Sequence, residues 1–272
     1  MRRSDWIAIL LIGALVGGVG WLILTAPRRP APVVALAPDS ATARADSTAD
    51  SVASGAGSAR IAIVRSSEVG VRLVRSGNAP PPHDIEEIRR HLMLGAPGTY
   101  IGDMLALQDS QLVRWPDATV LRVWIARSTD AGDWSAAYVD TVRAAFRAWD
   151  AAGAPIHAEF VDDSASATVR VRWTDRFPEG GTIGQTQQTW DQYRWLVAGD
   201  ITIATHTVNG LTLDAPWVRA TALHEIGHLL GLNHSASPGD IMAASAHSFD
   251  LSRADLATMR LLYVLPPGAV NK

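Results

Sequence analysis

Residues 224–234 read H-E-I-G-H-L-L-G-L-N-H, and no other stretch limits the folds and chemistries open to this chain so tightly. On a helix, His224 and His228 stand one turn apart and project from the same face. Their ring nitrogens then reach one metal ion at about 2.0–2.1 Å, the bond length zinc takes with imidazole. Glu225 projects beside that ion, where it is placed to take a proton from a zinc-bound water. Gly231 has a different part: it permits the positive φ that ends a helix and turns the chain back. His234 is thereby returned as a third ligand, and a fourth position stays open for water or substrate. A bare H-E-x-x-H is a weak signal. Adding the glycine and the third histidine cuts chance matches roughly 500-fold at ordinary residue frequencies. The spacing predicts one catalytic Zn2+ held by His224, His228 and His234, with Glu225 as the base.

The flanks suit a helix that is buried. Asp214 is an N-cap residue, Pro216 is tolerated in a first turn, and Leu223, Ile226, Leu229 and Leu230 supply apolar surface. The extended motif resembles the metzincin clan of zinc endopeptidases, named for a methionine turn below the metal. Met242, in P-G-D-I-M-A at residues 238–243, stands where that turn would be. The resemblance implies that it packs under the three imidazoles without binding zinc. Within the clan the chain is most similar to the matrixins (peptidase family M10). Ser235 directly follows the third histidine, as is typical of matrixins, and L-S-R-A-D-L-A-T-M-R-L-L-Y at 251–263 resembles their C-terminal helix. Ser252 and Asp255 also make local sense there, as an N-cap with an acidic first turn. A-F-R-A-W at 145–149 is similar to the first long matrixin helix, and the resemblance runs over roughly residues 117–265. It implies an α+β fold: a twisted, mostly parallel sheet with one antiparallel edge strand, the zinc helix, the methionine turn and a C-terminal helix. It also implies hydrolysis of peptide bonds in proteins by Glu225-assisted attack of zinc-bound water.

The departures from the family pattern are equally specific. Matrixins usually carry a structural zinc and several calcium ions. Here Gln185 and Thr202 stand where two structural-zinc histidines would be, and no H-x-D loop precedes them. The pattern therefore argues against those additional ions. The chain has no cysteine, so the thiolate latch that keeps many matrixins dormant cannot exist. No tyrosine lies just after Met242, which argues against the astacin and serralysin branches.

A formal net charge of −3 is too small to point to nucleic acid or a polyanionic substrate. Residues 6–27 hold no charged residue, and as a helix about 33 Å long they match a bilayer core of about 30 Å. We expect residues 1–27 to be a retained membrane anchor, with the catalytic domain outside the cytoplasm in the periplasm or beyond the cell. Secretion after signal cleavage is the alternative, at Ala35-Leu36-Ala37, although Pro38 next to that site should hinder cleavage. Residues 28–58, rich in Ala, Pro and Ser, read as a solvated linker. Residues 59–115 read as an N-terminal extension or pro-segment, with short strands at 61–64 and 69–74 and a helix started by Asp84 and Glu87. Residues 116–266 form the zinc domain, followed by a tail at 267–272.

Within that domain the order is strand (120–126), helix, strand (156–161), strand (168–173). The helix has an apolar stripe of Tyr138, Val142, Ala145 or Phe146, and Trp149, ended by Gly153 and Pro155. The polar segment 181–189 corresponds, by the resemblance, to the antiparallel edge strand above the cleft, where an extended peptide adds as a further strand. Residues 199–205 make the last strand before the zinc helix. His83, His91, His157, His206 and His247 lack ligand spacing and are expected at the surface; His247 follows the methionine turn, where the family's specificity-pocket wall runs. The expected partners are a protein or peptide substrate and, through residues 6–27, a membrane. An inactive, zinc-stabilised envelope interaction module is the competing reading, and an intact Glu225 weighs against it.

Overall fold

Alternating side chains build one central sheet. In β3 (Thr119–Ile125) Leu121, Val123 and Ile125 are buried while Val120 and Arg122 face out. β5 (Val169–Thr174) repeats the pattern with Val169, Val171 and Trp173 inward. The computed structural model describes residues 69–75, 79–178, 181–245 and 248–270, all within the unit Ser58–Lys272. Five more strands complete its set before the C-terminal helix: β1 (Gly70–Val74), β2 (Gln111–Leu112), β4 (Ile156–Phe160), β6 (Gly184–Asp191) and β7 (Leu196–Ala204). The large sheet has the order β1-β6-β7-β5-β3-β4. All its pairings are parallel except β6 with β7. This is the expected α+β arrangement with a mostly parallel sheet. The expected edge is corrected: the antiparallel strand β6 is second in the sheet, because β1 pairs with it in parallel over Gln187–Asp191. Nothing local in the sequence announces a partner so distant along the chain.

Two fifteen-residue helices cover the inner face. α3 (Ala137–Ala151) joins β3 to its parallel neighbour β4, and buries Tyr138, Val139, Val142, Ala145, Phe146 and Trp149. Gly153, at φ 88°, then turns the chain into β4. α4 (Ala215–Leu229) starts at Asp214, whose side chain accepts the Trp217 N–H, and packs against α3, β6 and β7.

Ahead of β3, α1 (Ile85–Gly95) and α2 (Ile101–Leu107) lie against α5 (Arg253–Val264), and β2 pairs antiparallel with β8 (Gly268–Ala269). Ile88, Met104, Leu112 and Trp115 join the same hydrophobic core as the sheet and α4. The Trp115 indole donates to the Leu229 carbonyl at 2.8 Å, so this region satisfies a carbonyl that the end of α4 leaves without an intrahelical donor. Among the described residues no helix is long and apolar enough to cross a membrane. The apolar run 6–27 and the strand expected at 61–64 lie outside the described residues.

Candidate metal centre

The end of α4 is shaped by one glycine. Gly231 has φ 102°, its N–H donates to His228 O at 2.9 Å, and the Leu232 N–H donates to Gly227 O at 3.0 Å. Those two bonds make a Schellman stop, which needs a left-handed residue at this point. A Cβ on Gly231 would also collide with the Val113 carbonyl oxygen. The chain reverses immediately and brings His234 back to the helix.

His224, His228 and His234 meet. Their Nε2 atoms are 3.0 Å apart between the first two and 3.2 Å between the second and third. The other ring nitrogens face carbonyls: His224 Nδ1 lies 2.7 Å from Ile241 O, and His228 Nδ1 lies 2.9 Å from Leu232 O. A carbonyl only accepts, so in His224 and His228 Nδ1 carries the proton and Nε2 is left as a bare lone pair. Burial holds His224 down at about 4 and His228 well below the ordinary imidazole range, the neighbouring rings adding to the effect. Neutral lone pairs converging at this distance repel unless a cation sits between them. Three nitrogens bonded to zinc at 2.0–2.1 Å in a tetrahedron would stand about 3.3 Å apart. The donor set fits Zn2+.

The surroundings hold this geometry. Met242 is fully buried, and its sulfur occupies the space that a side chain at Gly227 would take. The turn that carries it closes through Ser235 N–H to Met242 O at 2.8 Å and Ser235 Oγ to Asp240 Oδ2 at 2.6 Å. Asp255, the acidic residue of the α5 capping box, is buried and accepts from the Ile241 N–H at 2.9 Å and from the Tyr100 hydroxyl at 3.1 Å. Burial and the Asp255 charge push the Tyr100 phenol far up, so it stays a donor. Asp255 also accepts from the Met242 N–H at 3.4 Å, so the capping residue read from the sequence holds the peptide unit whose carbonyl, Ile241 O, orients His224.

Glu225 is buried beside the triad, facing β6. The Thr186 hydroxyl lies 2.7 Å from Glu225 Oε2, and Gln188 Nε2 donates to the His228 carbonyl. Neither residue stands out in the sequence, because inward polar side chains in a Gly- and Thr-rich strand carry no periodic signal. Gln185 and Thr202, set against the structural-zinc positions, face each other in register across β6 and β7. Among the described residues the triad is the one cluster of metal-ligating groups. His206 is corrected from the expected surface position: it is buried between Asp133 and Asp175, with nitrogen–oxygen distances of 3.1 and 3.0 Å. His83 and His157 are exposed, His91 is half-buried, and His247 lies outside the described residues.

A mixed sheet over a helix that supplies two histidines, with a third returned by the turn after it, defines the zinc metallopeptidase class. The matrixin family model (peptidase M10) matches residues 114–264. That is more than half of the 272 residues, and the chain belongs to the matrixin family. The crystal structure of myroilysin is similar at 13% identity and a TM-score of 0.38, covering 56% of this chain and 86% of that one. No curated protein matches the chain.

Proposed function

We propose that this matrixin hydrolyses peptide bonds within protein substrates, with His224, His228 and His234 holding one Zn2+ and Glu225 handling the protons. The convergence of three histidine Nε2 atoms beside a buried carboxylate carries the reading. Zinc bound there supplies a Lewis acid that polarises the scissile carbonyl and lowers the pKa of a water to about 7. Glu225 accepts the proton of the attacking water and passes it to the departing amine. Gly184 gives this carboxylate room, since a Cβ there would stand 2.8 Å from Glu225 Cγ. Ile241 O and Leu232 O keep the rings of His224 and His228 in the tautomer that presents Nε2. An extended peptide that pairs with β6 over Gln187–Asp191 has to displace β1.

The N-terminal apolar run supports a membrane-held enzyme working outside the cytoplasm, and the buried Met104 and Trp115 support residues 85–115 as a fixed part of the domain. The test uses full-length, zinc-loaded protein and unfolded casein. We expect about one zinc per chain, cleavage abolished by chelator, and a loss of at least about a hundredfold in Glu225→Gln with zinc retained. Wild-type cleavage by Glu225→Gln would sink the reading. Recovery of intact chain from washed membranes supports the anchor, and recovery of a shortened chain in the soluble fraction rejects it.

A further inference from the structure

We infer that Thr186 is a positioning residue for Glu225, one that sets the direction of its carboxylate and through it the rate of the proton transfers. The inference rests on Glu225 acting as the base. It begins with the register of β6. Thr186 pairs with Ile201 of β7, and its side chain turns to the inner face, against α4. Only 1% of Thr186 and 1% of Glu225 is exposed. The threonine hydroxyl lies 2.7 Å from Glu225 Oε2 and 2.9 Å from the backbone carbonyl of the same residue. It has one proton to donate. The carboxylate is nearer and, when ionised, is the stronger acceptor.

Two restraints thus act on one carboxylate from the same strand. Gly184, two residues before Thr186, borders Glu225 Oε1 so closely that a Cβ there would overlap it. Thr186 holds Oε2 from the other side. A glutamate has three side-chain torsions, and one on the wall of an open cleft would sample several rotamers. Held at Oε2 and bounded at Oε1, it keeps the orientation from which a proton on a water beside the triad is within reach. The competing account is a buried hydroxyl that merely finds a partner in the Glu225 carbonyl. The two accounts separate in kinetics. Thr186 is covered, so substrate does not touch it, and loss of positioning lowers kcat without moving KM.

The experiment compares Thr186→Val and Thr186→Ser in the full-length, zinc-loaded protein. It measures kcat and KM on an internally quenched peptide, zinc content and melting temperature. Valine keeps the shape and removes the donor; serine keeps the donor. We expect Thr186→Val to lose about tenfold to a hundredfold in kcat, with KM and zinc content within about twofold of wild type. Thr186→Ser should stay within about threefold of wild type in kcat. Should valine fail to fold, the pair Thr186→Ala and Thr186→Ser differs by the hydroxyl alone and must show the same gap. An unchanged kcat in the valine variant overturns the inference. So does a loss matched by zinc loss, or one that serine does not restore. Glu225→Gln run beside them keeps the two readings apart: if it retains activity, the base assignment has failed, whereas its inactivity beside an active Thr186→Val removes only the positioning role.

Discussion

α3 and α4 have the same length and lie side by side, yet they are buried in opposite ways. α3 shows a stripe: Tyr138, Val142, Ala145, Phe146 and Trp149 go in while Asp140, Ala144 and Arg147 stay out. In α4 every residue from Ala220 to Leu229 is buried. It is enclosed by α3, by β6 and β7, by the methionine turn, and at its end by Trp115 and Tyr263, whose hydroxyl donates to Leu230 O at 3.1 Å. A helix covered all round has no polar face to give it a period. The difference bears on where the proposed chemistry sits: His224, His228 and Glu225 lie on the element with least freedom, held from every side, and His234 is returned by the turn at its end. Substitutions on the two helices should differ accordingly.

The largest effect should come at the end of α4. Gly231→Ala forces a side chain into φ 102° and drives its Cβ into the Val113 carbonyl, which is backbone and cannot swing aside. Strain at positive φ costs about 1 kcal/mol, and the overlap adds more, for a total of about 3 kcal/mol or above. The turn that returns His234 is displaced with it, so bound zinc should fall below half an equivalent per chain. Calorimetry and metal analysis check both. A variant that melts within about 1 °C of wild type and keeps its zinc would show that α4 is less tightly enclosed than the geometry says.

How much of this could be read beforehand follows from the same contrast. α3 was legible because its stripe has a helical period, and its stop at Gly153 and Pro155 is local chemistry. α4 was legible through the spacing of His224, His228 and His234 rather than any pattern of burial. The α5 cap was legible in Ser252 and Asp255, but the bonds from Asp255 to the methionine turn and to Tyr100 were not. Those depend on how distant segments pack. The pairing of β1 with β6 was missed for the same reason: the partners are more than a hundred residues apart, and parallel pairing leaves no hairpin signal. Thr186 was hidden because a polar residue in a half-polar strand points to neither face.

A middle-sized effect concerns the imidazoles of α4 in metal-free protein. His224 is held at about 4 and His228 well below 6.5 in the folded chain, through burial of rings that would have to become charged. The unfolded chain binds those protons near pH 6.5, so it binds more protons than the folded chain below that point. Stability from the neutral rings is therefore complete above about pH 6.5 and is lost as pH falls, the His224 share disappearing by about pH 4. The slope approaches about 1.4 kcal/mol per pH unit for each histidine. Urea unfolding of chelator-treated protein at pH 7.5, 6 and 5 reads it. A flat profile would mean that the apoprotein opens the site to water and the rings titrate normally.

The smallest effect belongs to the outer side of α3. Arg143 pairs with Asp140 at 3.1 Å, but the aspartate side chain is 81% exposed, and such pairs contribute about 0–1 kcal/mol. The guanidinium also lies 5.5 Å from the Phe160 ring centroid, a contact of about 0.5–1 kcal/mol. Against these, Arg143 Nε is buried without a partner, and its removal relieves a desolvation cost of similar size. Alanine is also the better helix former. The contributions oppose one another, so Arg143→Ala should change stability by less than about 1 kcal/mol, a shift of at most about 4 °C in melting temperature. Zinc content and kcat should not move, because the contacts of the side chain are with Asp140 and Phe160, outside the histidine site. A large loss here would mean that the outer face of α3 carries structure as the inner face does, and the contrast between the two helices would fail.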